Sequence, residues 1–244
     1  GGLDDCTACL RTRADLGAVT PMIATYDGKG WDQAFLECAR RSDGFRRALE
    51  TGEPMEEFYE VPQITAAAMV VRTEALLKAG PFDPIYGSYY EDYDLCRRIR
   101  NTGYGIGVCT RGKVGHFAGS ATSTDDAEKR RMRQILRNRV IYQVRSSGPR
   151  RVRNLLSYLL HWFPYNLGRS LWGTPSSQPL LVYLAAHWDL VPLLGRLLSE
   201  KRDRAAWRSY LTESGWPALP VGERSESLLD EACRTLPSIC AREL

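Results

Sequence analysis

Cysteine is sparse in this 244-residue chain: seven residues, scattered, are too few to staple a small secreted fold, which leaves a reducing compartment as the expectation. Net charge is low as well. With 33 basic and 29 acidic residues the formal charge is +4, so any basic function must come from clustering and not from the total. There is no internal repeat and no low-complexity tract, which excludes a repeat architecture. No apolar run reaches the roughly 20 residues of a membrane-spanning helix. Residues 155–163 and 180–188 are each about half that long, and Pro164, Pro179, Asp189 and Pro192 interrupt their extension. The sequence opens on Gly1-Gly2 with no methionine, no basic n-region and no apolar h-region, so no signal peptide is expected and the chain reads as an internal piece.

What is present is an ordinary folded composition, 43% apolar, 25% charged and 10% aromatic, in enough chain for one large domain or two small ones. Up to about Gly119, short apolar runs alternate with helical patterns and Gly/Pro punctuation, as in an α/β layer structure. Residues 16–23 and 66–71 read as buried strands. Residues 73–79 read as a short helix stopped by Gly80-Pro81, and 92–100 as another, with Leu95 and Ile99 on one face and Gly103 beyond its end. Residues 104–108 read as a strand. The polar stretch 40–60, with Gly44, Gly52, Pro54 and a helical hint only at 45–49, reads as a mobile insertion.

From Lys129 to Arg153 there are ten basic residues and no acidic one. Cap-type and acidic residues at 123–126 start a helix there, on which Met132, Ile135, Leu136 and Val140 recur at helical spacing and leave the basic side chains to the other face. Between 154 and 188 the polarity inverts: Arg169 is the only formal charge among Leu, Tyr, Trp and Phe. A helix or helical hairpin in the headgroup layer fits this pattern, with the basic block against anionic lipid at on the order of 1 kcal/mol per surface Lys or Arg. Packing of the same stripes on the α/β layer is the alternative. Trp162, Trp172 and Trp188 suit both. Residues 201–244 are mixed in charge and weakly helical. The expected division is 1–150 for the α/β layer and 151–244 for a helical, membrane-peripheral extension.

Chemistry concentrates in Tyr89-Tyr90-Glu91-Asp92-Tyr93-Asp94-Leu95-Cys96-Arg97-Arg98, where three carboxylates fall within four positions. Adjacent acids repel, and packing them at a helix start makes sense if N-terminal amides, a cation or a bound hydroxyl stabilises them. A carboxylate held there can accept a proton from a sugar hydroxyl. Taken alone, the three acids are explained more simply as helix caps. Other signals are weaker. Cys6-Thr7-Ala8-Cys9 has redox spacing but falls in a predicted helix without a preceding strand, and reads as two incidental cysteines. His161 and His187, inside aromatic stretches, read as packing residues.

The acidic run is one of a series in fixed order: Thr65-Ala66-Ala67-Ala68-Met69-Val70-Val71-Arg72, Gly80-Pro81-Phe82-Asp83, Glu91-Asp92-Tyr93-Asp94-Leu95, Gly103-Tyr104, His116 and Gly119-Ser120. This series resembles the second half of the GT-A catalytic domain of the family 2 glycosyltransferases. The likeness covers about 3–145 and includes Leu16-Gly17-Ala18-Val19-Thr20-Pro21, similar to the family's strand and proline segment after its nucleotide half. The resemblance implies an α/β fold that is a partial GT-A domain followed by a mostly helical C-terminal region.

It also implies roles. Asp92 matches the catalytic base that deprotonates the acceptor hydroxyl as it attacks the anomeric carbon, with inversion. Glu91 matches the neighbour that binds acceptor hydroxyls, Tyr90 and Asp94 fall in the same substrate-facing run, and Asp94 matches a carboxylate concerned more with the helix start. Arg137-Asn138-Arg139 sit where many relatives carry basic residues after the His loop; the resemblance implies contact with the diphosphate or an anionic lipid-linked acceptor, and a solvated helix face is the simpler account of any one of them. His116, 24 positions beyond Asp92, matches a histidine that in some relatives completes the coordination of a divalent cation, Mg²⁺ or Mn²⁺. The main Asp-x-Asp anchor of that cation is expected ahead of Gly1. Asp4-Asp5 fall at the start of the helix that follows that motif and are rejected as substitutes.

Two departures stand out: the nucleotide-binding half is absent from the sequence, and Ala66 stands where relatives carry Gly. The expected function is therefore that of a fragment of an inverting glycosyltransferase, inactive without its other half. Its partners would be a nucleotide-sugar donor and a glycan or lipid-linked acceptor, and its place the cytoplasm, peripheral to the inner face of the cytoplasmic membrane. The alternatives are a non-catalytic membrane-bound scaffold or one half of a split enzyme. A metal-dependent nuclease or nucleic-acid binder, built on the acidic run and the basic block, is the remaining class; it requires strongly salt-dependent binding, and no nucleic-acid partner is expected.

Overall fold

A computed structural model of the chain describes residues 1–117, 125–173 and 179–198; Gly119-Ser120, the cap residues at 123–124 and the stretch 201–244 lie outside them. The described residues form two units, one of 1–83 and 92–117 and the other of 84–91, 125–173 and 179–198. The helix that carries the basic block falls in the second unit with the helices after it.

The first unit is mixed α/β. Its four-stranded sheet has the order β2-β4-β1-β3, with β1 (Leu16–Thr25) parallel to β4 (Gly105–His116), and with β2 (Phe58–Glu60) and β3 (Val70–Val71) antiparallel on the two edges. β1 is buried along nearly its whole length, which is why it reads as a continuous apolar run. On one side Leu16 and Val19 pack with Cys6 and Leu10 of α1 (Gly2–Thr12) and with Cys109. On the other, Ala18, Met22 and Ile23 join the main core with Phe35, Leu95 and Ile99. Pro21 offers no N–H to a central strand, and the β1–β4 register jumps at this point, from Pro21 opposite Cys109 to Met22 opposite Lys113. Gly17 is required by packing: a Cβ there would lie 2.6 Å from Ile99 Cγ2 and 2.7 Å from Tyr104 Cβ.

Four helices complete this unit: α2 (Gln33–Ala39), α3 (Asp43–Thr51), α4 (Thr73–Ala79) and α5 (Glu91–Asn101). α4 ends at Gly80 with φ 85°, and α5 is followed by Gly103 with φ 91°, as the sequence predicts. Three expectations are corrected. Stretch 40–60 is not a mobile insertion, because α3 buries Phe45 and Ala48 and the Phe45 ring lies 5.7 Å from Phe35 and 4.9 Å from Tyr59 of β2. Residues 66–71 are not one buried strand: a 3₁₀ turn, Ala66–Ala68, is capped by the Thr65 hydroxyl, and only Val70–Val71 pair at the half-buried sheet edge. The strand predicted at 104–108 runs on to His116, since its second half pairs with the end of β1.

The second unit is helical: α6 (Asp125–Arg145), α7 (Arg151–Ser157), a π-turn Tyr158–Trp162, α8 (Phe163–Leu171), α9 (Leu180–Trp188) and α10 (Leu194–Leu198). Val140, Ile141 and Val144 of α6 are buried, and α9 packs on α6 while burying Val182, Tyr183 and Ala186. The basic block is not one solvated face. Arg133 is paired with Asp189, Arg137 is bonded to backbone carbonyls, and Arg151 is buried with its Nε donating to Gly148 O.

His187 is a packing residue, as expected. Its Nδ1 donates to Tyr183 O at 2.7 Å, which leaves Nε2 to accept from the Tyr158 hydroxyl at 2.6 Å, and burial lowers its pKa so that it stays neutral. Asp189 and Pro192 do not end the apolar stretch. Pro192 falls in the first turn of a 3₁₀ helix, where its missing N–H is tolerated, and Leu180–Leu198, 19 residues at mean hydropathy 1.3, is long and apolar enough to cross a membrane by length and composition alone. Core helices of soluble proteins pass the same test.

Candidate functional site

The candidate base sits where two segments of the first unit are tied together. Asp92 is the second residue of α5, and its Oδ2 accepts from the Ala66 N–H at 3.3 Å while Oδ1 accepts from the Tyr93 N–H at 2.8 Å. The Thr65 hydroxyl is a further hydrogen-bonding partner. One turn along α5, Cys96 Sγ is 3.4 Å from both the N and the O of Ile64, so 64–66 is fastened to the helix at two points. Burial raises the Asp92 pKa above the usual carboxylate value, and the hydrogen bonds from Ala66, Tyr93 and Thr65 only partly offset it. The result is a carboxylate fixed in orientation and more basic than one in water. Ala66 needs no glycine here, because the left-handed non-glycine residues among those described are Tyr89 and Tyr90 alone.

A second cluster lies at the end of the parallel strands. His116 closes β4 in register with Thr25 of β1, and its Nδ1 is 3.0 Å from Asp32 Oδ2. Asp32 is 5% exposed at its side chain and also caps α2, its Oδ1 accepting from Ala34 N at 2.9 Å and Phe35 N at 3.1 Å. Cys38 of α2 lies within electrostatic reach of both clusters: burial, then the charges of Asp92 and Asp32, push its thiol up to about 12. Tyr93 is likewise pushed up to about 12 by burial, with the Arg41 guanidinium over its ring at 5.7 Å. Just beyond the strand ends, exposed Tyr26 and Phe117 meet edge to face at 5.4 Å.

The remaining sequence candidates are held in other ways. Asp94 is fully buried; its Oδ2 accepts from Arg98 Nε at 2.8 Å and its Oδ1 from Arg97 at 3.1 Å. Arg98 in turn donates to the carbonyls of Ala79, Gly80 and Pro81 at 2.6 to 2.7 Å, so this pair joins the end of α4 to α5 and Asp94 does not face a substrate. In the second unit, Asn138 is fully buried and its amide lies 2.7 to 2.8 Å from the carbonyls of Tyr86, Ser88 and Tyr89. Arg137 donates to the carbonyls of Ile85 and Tyr86, and its own pKa is lowered by burial. These two residues brace a turn that ends in the left-handed pair Tyr89 and Tyr90, with φ 69° and 71°. The Tyr90 ring packs 5.7 Å from Tyr142, and Glu91 is half-buried as the first residue of α5.

As a metal site the arrangement is partial. Asp32 behind Nδ1 is the way proteins commonly orient a ligating imidazole. Among the described residues, however, no group of three or more His, Cys, Asp or Glu gathers to hold an ion, so these residues do not make a complete cation site. Asp4 and Asp5 lie in the first turn of α1, as expected. The features that sequence reasoning missed are Asp32, Thr65, Cys38, Cys96 and Arg41. The cap position of Asp32 before a helix was legible, but its pairing with a residue 84 positions away was not.

No protein-family model matches this chain, and no curated protein matches it in sequence.

Proposed function

We propose that this chain is the acceptor-side half of an inverting glycosyltransferase of the family 2, GT-A type, with Asp92 as general base. The observation that carries the reading is the Asp92 carboxylate itself, oriented by the Ala66 and Tyr93 amides and made more basic by burial. In the reaction Asp92 takes the proton of an acceptor hydroxyl while that oxygen attacks the anomeric carbon. The bond from that carbon to the nucleotide diphosphate breaks as the new one forms, the electron pair leaves with the phosphate, and configuration inverts. Burial raises the proton affinity of the carboxylate, which favours the transfer.

The ends of β1 and β4 suit the substrate side. Ligands of open α/β sheets bind outside the carboxyl ends of parallel strands. There Tyr26 and Phe117 offer exposed aromatic faces to a sugar ring. A divalent cation, when bound, would neutralise charge on the departing diphosphate, and His116 would offer it one ligand, the remaining donors being expected ahead of Gly1. The acceptor proposed is a glycan or a lipid-linked glycan.

The helical unit supports a place on the inner face of the cytoplasmic membrane. Leu160, Trp162, Tyr165, Trp172 and Trp188 are exposed in the unit that also carries the basic block. The test is transfer from a panel of nucleotide-diphosphate sugars to glycan and lipid-linked acceptors by the protein that carries this sequence. Inverted product is expected. Absence of transfer from every donor, with the protein folded, would contradict the reading.

A further inference from the structure

The helical unit contains a groove of about 560 Å³, walled by α6, the α7–π-turn stretch and the α9–α10 stretch, with a lining that is almost wholly hydrocarbon. Its volume is that of a small-molecule site, roughly 300–1,000 Å³. Val140, Leu155 and Leu197 form its inner part, and Leu159, Leu184 and Leu194, each between 39% and 47% exposed, form its open edge. The polar groups at the wall ask nothing of a ligand: the Tyr158 hydroxyl and both His187 nitrogens are satisfied by each other and by Tyr183 O. An occupant must therefore be apolar where it is enclosed.

We propose that this groove holds the hydrocarbon chain of a single anionic lipid, with the lipid phosphate at Arg133. Among the described residues of the lining, Arg133 is the one that carries a charge. Asp189 accepts from its Nε and from one Nη, which fixes the guanidinium at the rim and leaves the other Nη without a hydrogen bond among the described residues. Arg139, exposed, lies within electrostatic reach of Tyr158 in the wall. Besides Arg137 and Arg151, which are engaged inside the unit, the basic block between 129 and 153 leaves Arg130, Arg139, Arg150 and Arg153 exposed, and their charge favours a negative headgroup over a neutral one. The open edge also continues into exposed apolar side chains, Leu159 being followed by Leu160 and then Trp162, so a lipid reaches the groove along the surface on which the unit rests. The proposal rests on the membrane-peripheral part of the reading above and is independent of the chemistry assigned to Asp92.

The test separates the two. The protein is exposed to phosphatidylglycerol or phosphatidylcholine, delivered once as vesicles and once from cyclodextrin, and stripped of free lipid. Retained lipid is then counted by native mass spectrometry, and vesicle binding is followed separately by co-sedimentation. Retention of a single phosphatidylglycerol per chain, with several-fold less phosphatidylcholine, is expected. Ala185→Trp, which fills the groove, and Leu159→Asp, which charges its exposed edge without touching the buried core, should each remove the retained lipid and leave most co-sedimentation. Trp162→Ala, outside the groove, should weaken co-sedimentation and keep the lipid. Retention from cyclodextrin without vesicle binding would support the groove and sink the membrane reading. Co-sedimentation with no retained lipid, equal retention of both lipids, or retention unchanged in both groove variants would each overturn the proposal.

Discussion

His116 at the end of β4 and Asp32 at the start of α2 are joined by a 3.0 Å contact between Nδ1 and Oδ2, across 84 positions of sequence. The carboxylate does two jobs at once, capping a helix with one oxygen and holding an imidazole with the other. In the proposed reading His116 is a cation ligand, and Asp32 acts through it as a positioning residue. Asp32→Asn keeps a capping oxygen and should cost little stability, yet weaken Mn²⁺ binding about 10–100-fold. His116→Ala should weaken it at least as much. Mn²⁺ titration followed by electron paramagnetic resonance reads both variants, and unchanged binding in His116→Ala would take this residue off the list of ligands.

The Asp94–Arg98 pair predicts a stability effect without a direct catalytic one. Both side chains are buried and Arg98 also serves three carbonyls, so Arg98→Met strands a buried carboxylate and the end of α4. The expected loss is about 3–5 kcal/mol in urea unfolding. A loss below about 1 kcal/mol would show that water replaces the arginine.

Gly17 provides a purely steric test. With Ile99 Cγ2 and Tyr104 Cβ each under 3 Å from the position of an added Cβ, Gly17→Ala must push α5 or its following loop off β1. Overpacking of this kind costs about 1–3 kcal/mol, which chemical denaturation resolves. A neutral substitution would mean that the sheet and helices shift at no cost.

Legibility of the fold followed locality. β1 is readable because both of its faces are covered, and α4 and α5 because glycines stop them. Stretch 40–60 was misread because its few apolar residues are separated by charges, and only the packed structure shows Phe45 lying between Phe35 and Tyr59. The run Ala66-Ala67-Ala68 looked like strand, but the Thr65 hydroxyl turns it into a 3₁₀ helix whose first N–H meets Asp92. Asp92 itself was found through resemblance. The carbonyls of 85–89 that Arg137 and Asn138 bond are not legible in sequence, because they lie about 50 positions away.

The raised proton affinity of Asp92 predicts how stability depends on pH. Its folded pKa lies above the unfolded value, so its favourable contribution is present below the unfolded pKa, near 3.9, and is lost as pH rises through the folded one. Asp92→Asn should thus be at least as stable as the natural protein at neutral pH. That advantage should vanish on acidification, as both proteins come to carry a neutral group. Urea midpoints at neutral and acid pH give the comparison, and an advantage that grows on acidification would reverse the assigned cause.

Catalysis by Asp92 is tested most directly by turnover of nucleotide-diphosphate sugar in Asp92→Asn and Asp92→Glu, with folding verified by circular dichroism and unfolding midpoint. Asp92→Asn should lose on the order of 10²–10⁴-fold in kcat, because an amide cannot take the proton. Asp92→Glu should lose roughly a hundredfold, because its longer side chain moves the carboxylate by about an ångström. Turnover within a few-fold of the natural protein in folded Asp92→Asn would contradict the account.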